Sequence, residues 1–147
     1  MSGLANDGNE IFIVTGSVPA AELHDRPEAY RVRDALAKLV CAGFPDRDWH
    51  PVVCADLWYL NQDHLRARPA VSVGPPHSSA FAAFLADRLP SLRVVDGLWM
   101  VQAEPDFDPP LASCWGATPH MTSLAVGVFL AEYAQSFLEA VESRYPR

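Results

Sequence analysis

Lysine is almost missing from this sequence: Lys38 stands alone among eleven basic residues, and the other ten are arginines scattered along the chain. Arg31 with Arg33 and Arg66 with Arg68 are the densest pairs, and neither makes a patch. Against eighteen acidic residues, for a formal charge of −7, this scatter excludes the basic cluster that non-specific nucleic-acid binding needs to neutralise phosphates. Cysteine is scarce as well. Cys41, Cys54 and Cys114 are odd in number, form no C-x-x-C pair and each lie in an apolar run, where a reduced thiol packs as a small hydrophobe. That usage points to a reducing, cytoplasmic compartment. No uninterrupted apolar stretch approaches the ~20 residues of a membrane span. The polar, acidic start from Met1 to Glu10 lacks the basic and apolar parts of a secretory signal, and residues 1–9 are expected to fray.

Several motifs of known chemistry are absent too. There is no lysine-bearing phosphate loop, no G-x-G-x-x-G, no G-x-S-x-G nucleophile elbow and no H-x-x-x-H. His50, Cys54, Asp56, His64, His77 and His120 are the conceivable metal ligands, but no two share ligand spacing on one element, so no metal is expected.

What is present describes one folded domain. The 147 residues suit a single domain, and half of them are apolar against a fifth charged, a globular balance. At this length roughly 68–70% of the unfolded surface can be buried, so the core needs no disulfide or metal staple. Ile11 to Val14 is an apolar run without alternation, which fits a strand buried on both faces. A helix start follows, with Asp25 as cap, Pro27 in the first turn and Glu28 three residues on, and Ala29, Val32, Leu36, Leu39 and Val40 recur at helical spacing up to Gly43. Val52 to Ala55 and Ala70 to Val73 read as two further strands, with a short helix between them capped by Asn61 and pointing Leu65 inward. Phe81, Phe84, Leu85 and Leu89 mark a helix stopped by Pro90. Leu92–Val95 and Leu98–Gln102 flank Asp96-Gly97, a dipeptide that favours a type I′ hairpin turn. Leu111 to Trp115 is another strand, and Thr118 with Pro119 opens the last helix.

Strands alternating with helices imply right-handed crossovers and a parallel sheet covered on both faces. The expectation is a single α/β domain over residues 1–147, a three-layer Rossmann-like or flavodoxin-like sandwich, with a mainly parallel sheet and an antiparallel hairpin near residues 92–102. Trp99 and Trp115, inside strands, are expected to pack in the core. The first half of the last helix is apolar all round, with Met121, Leu124 and Val128 on the side that turns polar later. Either the chain itself or a second copy must cover that side, so a homodimer through these three residues is one expectation.

In open α/β sheets ligands sit beyond the carboxyl ends of the strands, where loops lead into helices. The rule selects Gly16 and Ser17 after the first strand, Asp56 after the second, Gly74, His77, Ser78 and Ser79 after the third, and Thr118 and His120 before the last helix. Gly74-Pro75-Pro76-His77-Ser78-Ser79 carries most promise: a glycine allows close approach, and two hydroxyls and an imidazole can donate at a helix N-terminus. Its two prolines remove two N–H donors, and the same serines serve equally well as helix caps. Such G-P-P-x-S-S steps are the kind of turn many Rossmann-like domains carry, an analogy of fold only. A binding domain for an anionic or nucleotide-like small molecule is the leading expectation. Its rivals are a ligand-free homodimeric scaffold and a hydrolase that pairs His77 or His120 with a serine. No cofactor is indicated.

Overall fold

The first strand explains most of the topology. In the computed structural model, which describes residues 8–145, Glu10–Thr15 forms β1 and every one of its residues is buried. A strand without an exposed face must lie inside a sheet with cover on both sides. β1 is flanked in parallel by β2 (His50–Ala55) and β3 (Ala70–Val73). The remaining strands are β4 (Ser91–Val95), β5 (Trp99–Gln102) and β6 (Leu111–Gly116), and all six join one sheet in the order β2-β1-β3-β6-β5-β4. β6 runs parallel to β3, while β5 is antiparallel to both β6 and β4. The fold is therefore mixed α/β, mostly parallel, with the antiparallel part where the Asp96-Gly97 hairpin places it.

Alternation along the strands divides the core in two. Ile11, Ile13, Val71, Val73, Ala112 and Cys114 meet α1 (Arg26–Gly43), α4 (Pro119–Val128) and α5 (Ala134–Arg144) on one face. Phe12, Val14, Cys54 and Ala70 meet α2 (Asp56–Leu60) and α3 (Ala80–Ala86) on the other, with Tyr59, Phe81 and Leu85 inside. Burial pushes the Cys54 thiol up to about 12 and raises that of Cys114 as well, as suits thiols used for packing.

Several local expectations need correction. The first helix does not begin at Asp25. It is helical from Pro19, passes through a π turn at Ala21–Asp25 and continues into α1, and Asp25 caps nothing. The proline that suits a first turn is Pro19, ahead of Pro27. Asn61 closes α2 rather than opening a helix, and the turn after it is a 3-10 segment, Asp63–Ala67, that buries Leu65. The hairpin turn spans Val95 to Leu98, with Gly97 alone at positive φ (75°). That is the pattern of a type II turn, since type I′ needs positive φ at Asp96 too. Of the expected frayed segment, residues 1–7 lie outside the described residues. Asn9 is held: its carbonyl accepts from the His50 N–H, and its side-chain amide donates to the Asp48 carbonyl. Cys41 is exposed. Trp99 and Trp115 are half-buried, and the core tryptophan is Trp49, whose Nε1 donates to Glu142 at 2.7 Å.

The last helix runs unbroken from Pro119 to Arg144 through a second π turn, Phe129–Tyr133. Its 26 residues include a window apolar enough, at mean hydropathy 1.3, to span a membrane by composition, although no uninterrupted run suggests it. In the fold it lies on the sheet and buries Ala125, Val126, Phe129, Phe137 and Leu138. Phe137 stands edge-on to both Phe107 and Phe129, at ring-centroid distances of 5.7 and 5.9 Å. Met121 and Val128 are half-buried by the chain itself, and Leu124 remains 42% exposed. Chemical denaturation should show Phe137→Ala losing about 3–5 kcal/mol, while Leu124→Ala stays within about 0.5 kcal/mol of the parent.

Candidate functional site

After β1 the chain enters α1 on one face of the sheet, and after β3 it enters α3 on the other. This reversal opens a crevice at the carboxyl ends of two adjacent parallel strands. The exit turns of β1, β2 and β3 are fastened together there by one side chain. Asp56, at the end of β2, is 5% exposed. Its Oδ1 accepts from Ser17 Oγ at 2.6 Å and from the Leu57 N–H at 2.8 Å, and its Oδ2 accepts from the Ala80 N–H at 2.7 Å. A buried carboxylate needs such donors to offset its lost hydration. Both oxygens of Asp56 are thereby committed to the protein.

Close backbone contact draws the same turns together. A Cβ on Gly16 would collide with the Ser78 carbonyl oxygen, which is backbone and cannot step aside. Gly74 has φ of 112°, and a Cβ there would lie 2.5 Å from Asp25 Oδ2. Gly116, at the end of β6, leaves room for the backbone and Cβ of Met121. Gly16 and Gly74 thus let the loops after β1 and β3 meet, while Gly116 lets the start of α4 fold back on the end of β6.

Between these loops lies a cavity of about 250 Å³. Val18, Ala20, His24 and Asp25 line it from the β1 side, and Pro75, His77 and Ser78 from the β3 turn. Gly116, Ala117, Thr118, Pro119 and Thr122 close it from β6 and α4. Of the sequence candidates, His77, Ser78 and Thr118 line the cavity directly. Gly16 and Gly74 shape it from behind. Ser17 and Asp56 form the clasp beneath. Ser79 is the buried N-cap of α3, its Oγ accepting from the Ala82 N–H, and His120 is exposed beyond the rim. No candidate serine donates to an imidazole: Ser17 Oγ donates to Asp56 and Ser78 Oγ to the Pro75 carbonyl. Among the described residues no three His, Cys, Asp or Glu side chains gather as a metal ion would require.

Asp25 is the group that sequence reasoning misplaces. It is 4% exposed, lines the cavity, and among the described residues accepts no hydrogen bond and forms no ion pair. Burial pushes its carboxyl from 3.8 up to about 6, against the pull of His24 and then His77, with a small further push from Glu28. A carboxylate kept in such a place at a cost to the fold marks a candidate site. A signal was there to find it. Asp25 lies four residues after Ala21 and four before Ala29, on the stripe that Ala29, Val32, Leu36 and Val40 carry inward, so its side chain points where apolar residues belong. The π turn that ends on Asp25 is a feature often found at functional positions.

At the opposite end of the sheet, Arg66, Arg68 and Arg144 line a second cavity of about 270 Å³, so residues distant in sequence do gather some basic charge. Each guanidinium there has a partner: Leu60 and Glu10 carbonyls for Arg66 and Arg68, and the Asp108 carboxylate for Arg144.

No protein-family model matches the chain, and neither a curated protein nor a solved structure does.

Two variants test the geometry. Gly16→Ala should destabilise the protein by roughly 1–3 kcal/mol or more in denaturant titration, because the new methyl meets fixed backbone. Asp25→Asn should act the other way at neutral pH. The folded state holds the Asp25 proton more tightly than the unfolded chain, so the stabilisation is complete below about pH 4 and lost as pH rises to about 6. The difference between 3.8 and about 6 is worth up to about 3 kcal/mol. Asparagine removes that loss, so Asp25→Asn should melt higher than the parent at pH 7.5 and drop the corresponding slope between pH 4 and 6.

Proposed function

We propose that this protein binds a small molecule in the cavity between the exit turns of β1, β3 and β6, as a Rossmann-like domain does at its switch point. The observation that carries the reading is the unpartnered, buried Asp25 carboxylate on the wall of a 250 Å³ cavity built from three separate loops. A folded core has no use for such a group unless something enters to meet it. The strand order β2-β1-β3, with helices leaving β1 and β3 on opposite faces, adds support from the open-sheet rule.

The rival readings draw less support. A homodimer through Met121, Leu124 and Val128 is left with Leu124 as its one strongly exposed anchor. A serine hydrolase lacks a serine engaged by a histidine, since Ser17, Ser78 and Ser79 all serve carboxylate or backbone.

A thermal-shift screen of nucleosides, nucleotides, sugars and sugar phosphates tests the proposal. A specific ligand at a hundred times its Kd should stabilise the protein by about 2.7 kcal/mol. Ala117→Trp, which fills the cavity from an exposed position on its wall, should abolish that stabilisation while the protein stays folded. Ligand stabilisation unchanged by Ala117→Trp, or none from any compound, would reject it.

A further inference from the structure

The chemistry of the cavity wall narrows what can enter. An anion needs free N–H donors, and several of those on this wall are missing or already committed. Pro75 and Pro119 have no N–H at all. Gly116 N donates to Thr122 Oγ1 at 3.0 Å, and Ala117 N donates to the Leu98 carbonyl at 2.8 Å. Ser78 N donates to the Pro75 carbonyl at 3.1 Å, and Thr122 N to the Thr118 carbonyl at 2.9 Å. At the N-terminus of α4, Met121 N donates to Thr118 Oγ1. When ionised, the Asp25 carboxylate on the wall repels phosphate.

The unfilled capacity on the wall combines acceptors with hydroxyl donors. Asp25 presents two carboxylate oxygens with no donor from the protein. Thr118 Oγ1 and Thr122 Oγ1 each accept a backbone N–H, so each hydroxyl hydrogen is left for another acceptor. Ser78 Oγ spends its hydrogen on the Pro75 carbonyl and keeps its lone pairs. Val18, Ala20, Pro75, Ala117 and Pro119 supply apolar walls between these polar points. Paired acceptors, scattered hydroxyls and flat apolar surface match a ring that carries hydroxyls on its edge and C–H groups on its faces.

We infer that the ligand is a neutral, hydroxyl-rich molecule of the sugar or nucleoside class, whose vicinal hydroxyls donate to the Asp25 carboxylate. The inference rests on the proposed cavity site and deepens it. His24, from the same π turn, and His77, from the β3 exit, line the cavity with Asp25 and act on its carboxylate electrostatically. Glu28, one turn further along α1, is the other charged group acting on it. Because the ionised form is the acceptor, binding strengthens as pH rises through the range in which Asp25 loses its proton. The Asp25 variant isolates the contribution of this carboxylate to any pH dependence.

The test is calorimetry with adenosine, 2′-deoxyadenosine, ribose and inorganic phosphate, on the parent, Asp25→Asn and Ala117→Trp, at pH 5 and pH 7.5. Adenosine or ribose should bind the parent, more tightly at pH 7.5, with 2′-deoxyadenosine weaker than adenosine. Asp25→Asn should lose roughly tenfold or more in affinity and most of the pH dependence, with no fall in melting temperature. Phosphate should not compete. Adenosine binding that survives Asp25→Asn but not Ala117→Trp overturns the role of Asp25 and leaves the cavity site standing. Phosphate binding blocked by Ala117→Trp overturns the ligand class and also leaves the site standing. Binding indifferent to Ala117→Trp, or none from any of the four probes, overturns this inference, and in the first case the cavity reading with it.

Discussion

The cavity depends on the Asp56 clasp. A single buried carboxylate takes the Ser17 hydroxyl from the β1 exit, its own following N–H at the β2 exit, and the first N–H of the helix after β3. Parallel strands place their carboxyl ends at one edge, but that alone leaves loops free to splay. The clasp, together with the backbone contact between Gly16 and Ser78, fixes the β1 and β3 loops at a separation that no side chain at position 16 would permit. The wall of the cavity follows from that separation. Asp25 then arrives from the π turn before α1 and His77 from the β3 turn, on opposite sides of the same space.

The two aspartates divide the electrostatic work. Asp56 is saturated with donors, and its burial is offset by hydrogen bonds from three elements. Asp25 is equally hidden and has none, so burial governs it and its carboxyl is pushed up to about 6. One secures the frame, and the other holds an unsatisfied valence inside it. Gly74 belongs to this arrangement, since its positive φ and missing Cβ give the Asp25 carboxylate the space it occupies.

The sequence was most legible where periodicity and turn chemistry agree. The unbroken apolar run at Ile11–Val14, the Ala70–Val73 strand and the Thr118-Pro119 helix start all appear where the pattern places them. The convergence of strand exits was legible as well, because it follows from alternating strands and helices. Asp25 was not read correctly, for a physical reason. A short acid before a proline carries the signature of an N-cap, and that local rule outweighs the weaker hint that the same residue continues the buried stripe of α1. The π turn that shifts the helix start back to Pro19 leaves no mark in composition. The clasp at Asp56 was equally hidden, because Ser17 and Ala80 reach it only after the sheet has formed. The hairpin dipeptide located its turn but not the turn type, since only Gly97 takes positive φ where type I′ would need it at Asp96 as well.

The most direct measurement is an NMR titration of the Asp25 side-chain carboxyl carbon. A midpoint near 6, moving to lower pH when a hydroxyl-rich ligand is bound, is what an unpartnered carboxylate in the strand-end cavity requires. A midpoint near the ordinary aspartate value of 3.8, unmoved by any ligand, would mean that water or an internal donor already satisfies it, and the site described here would not exist.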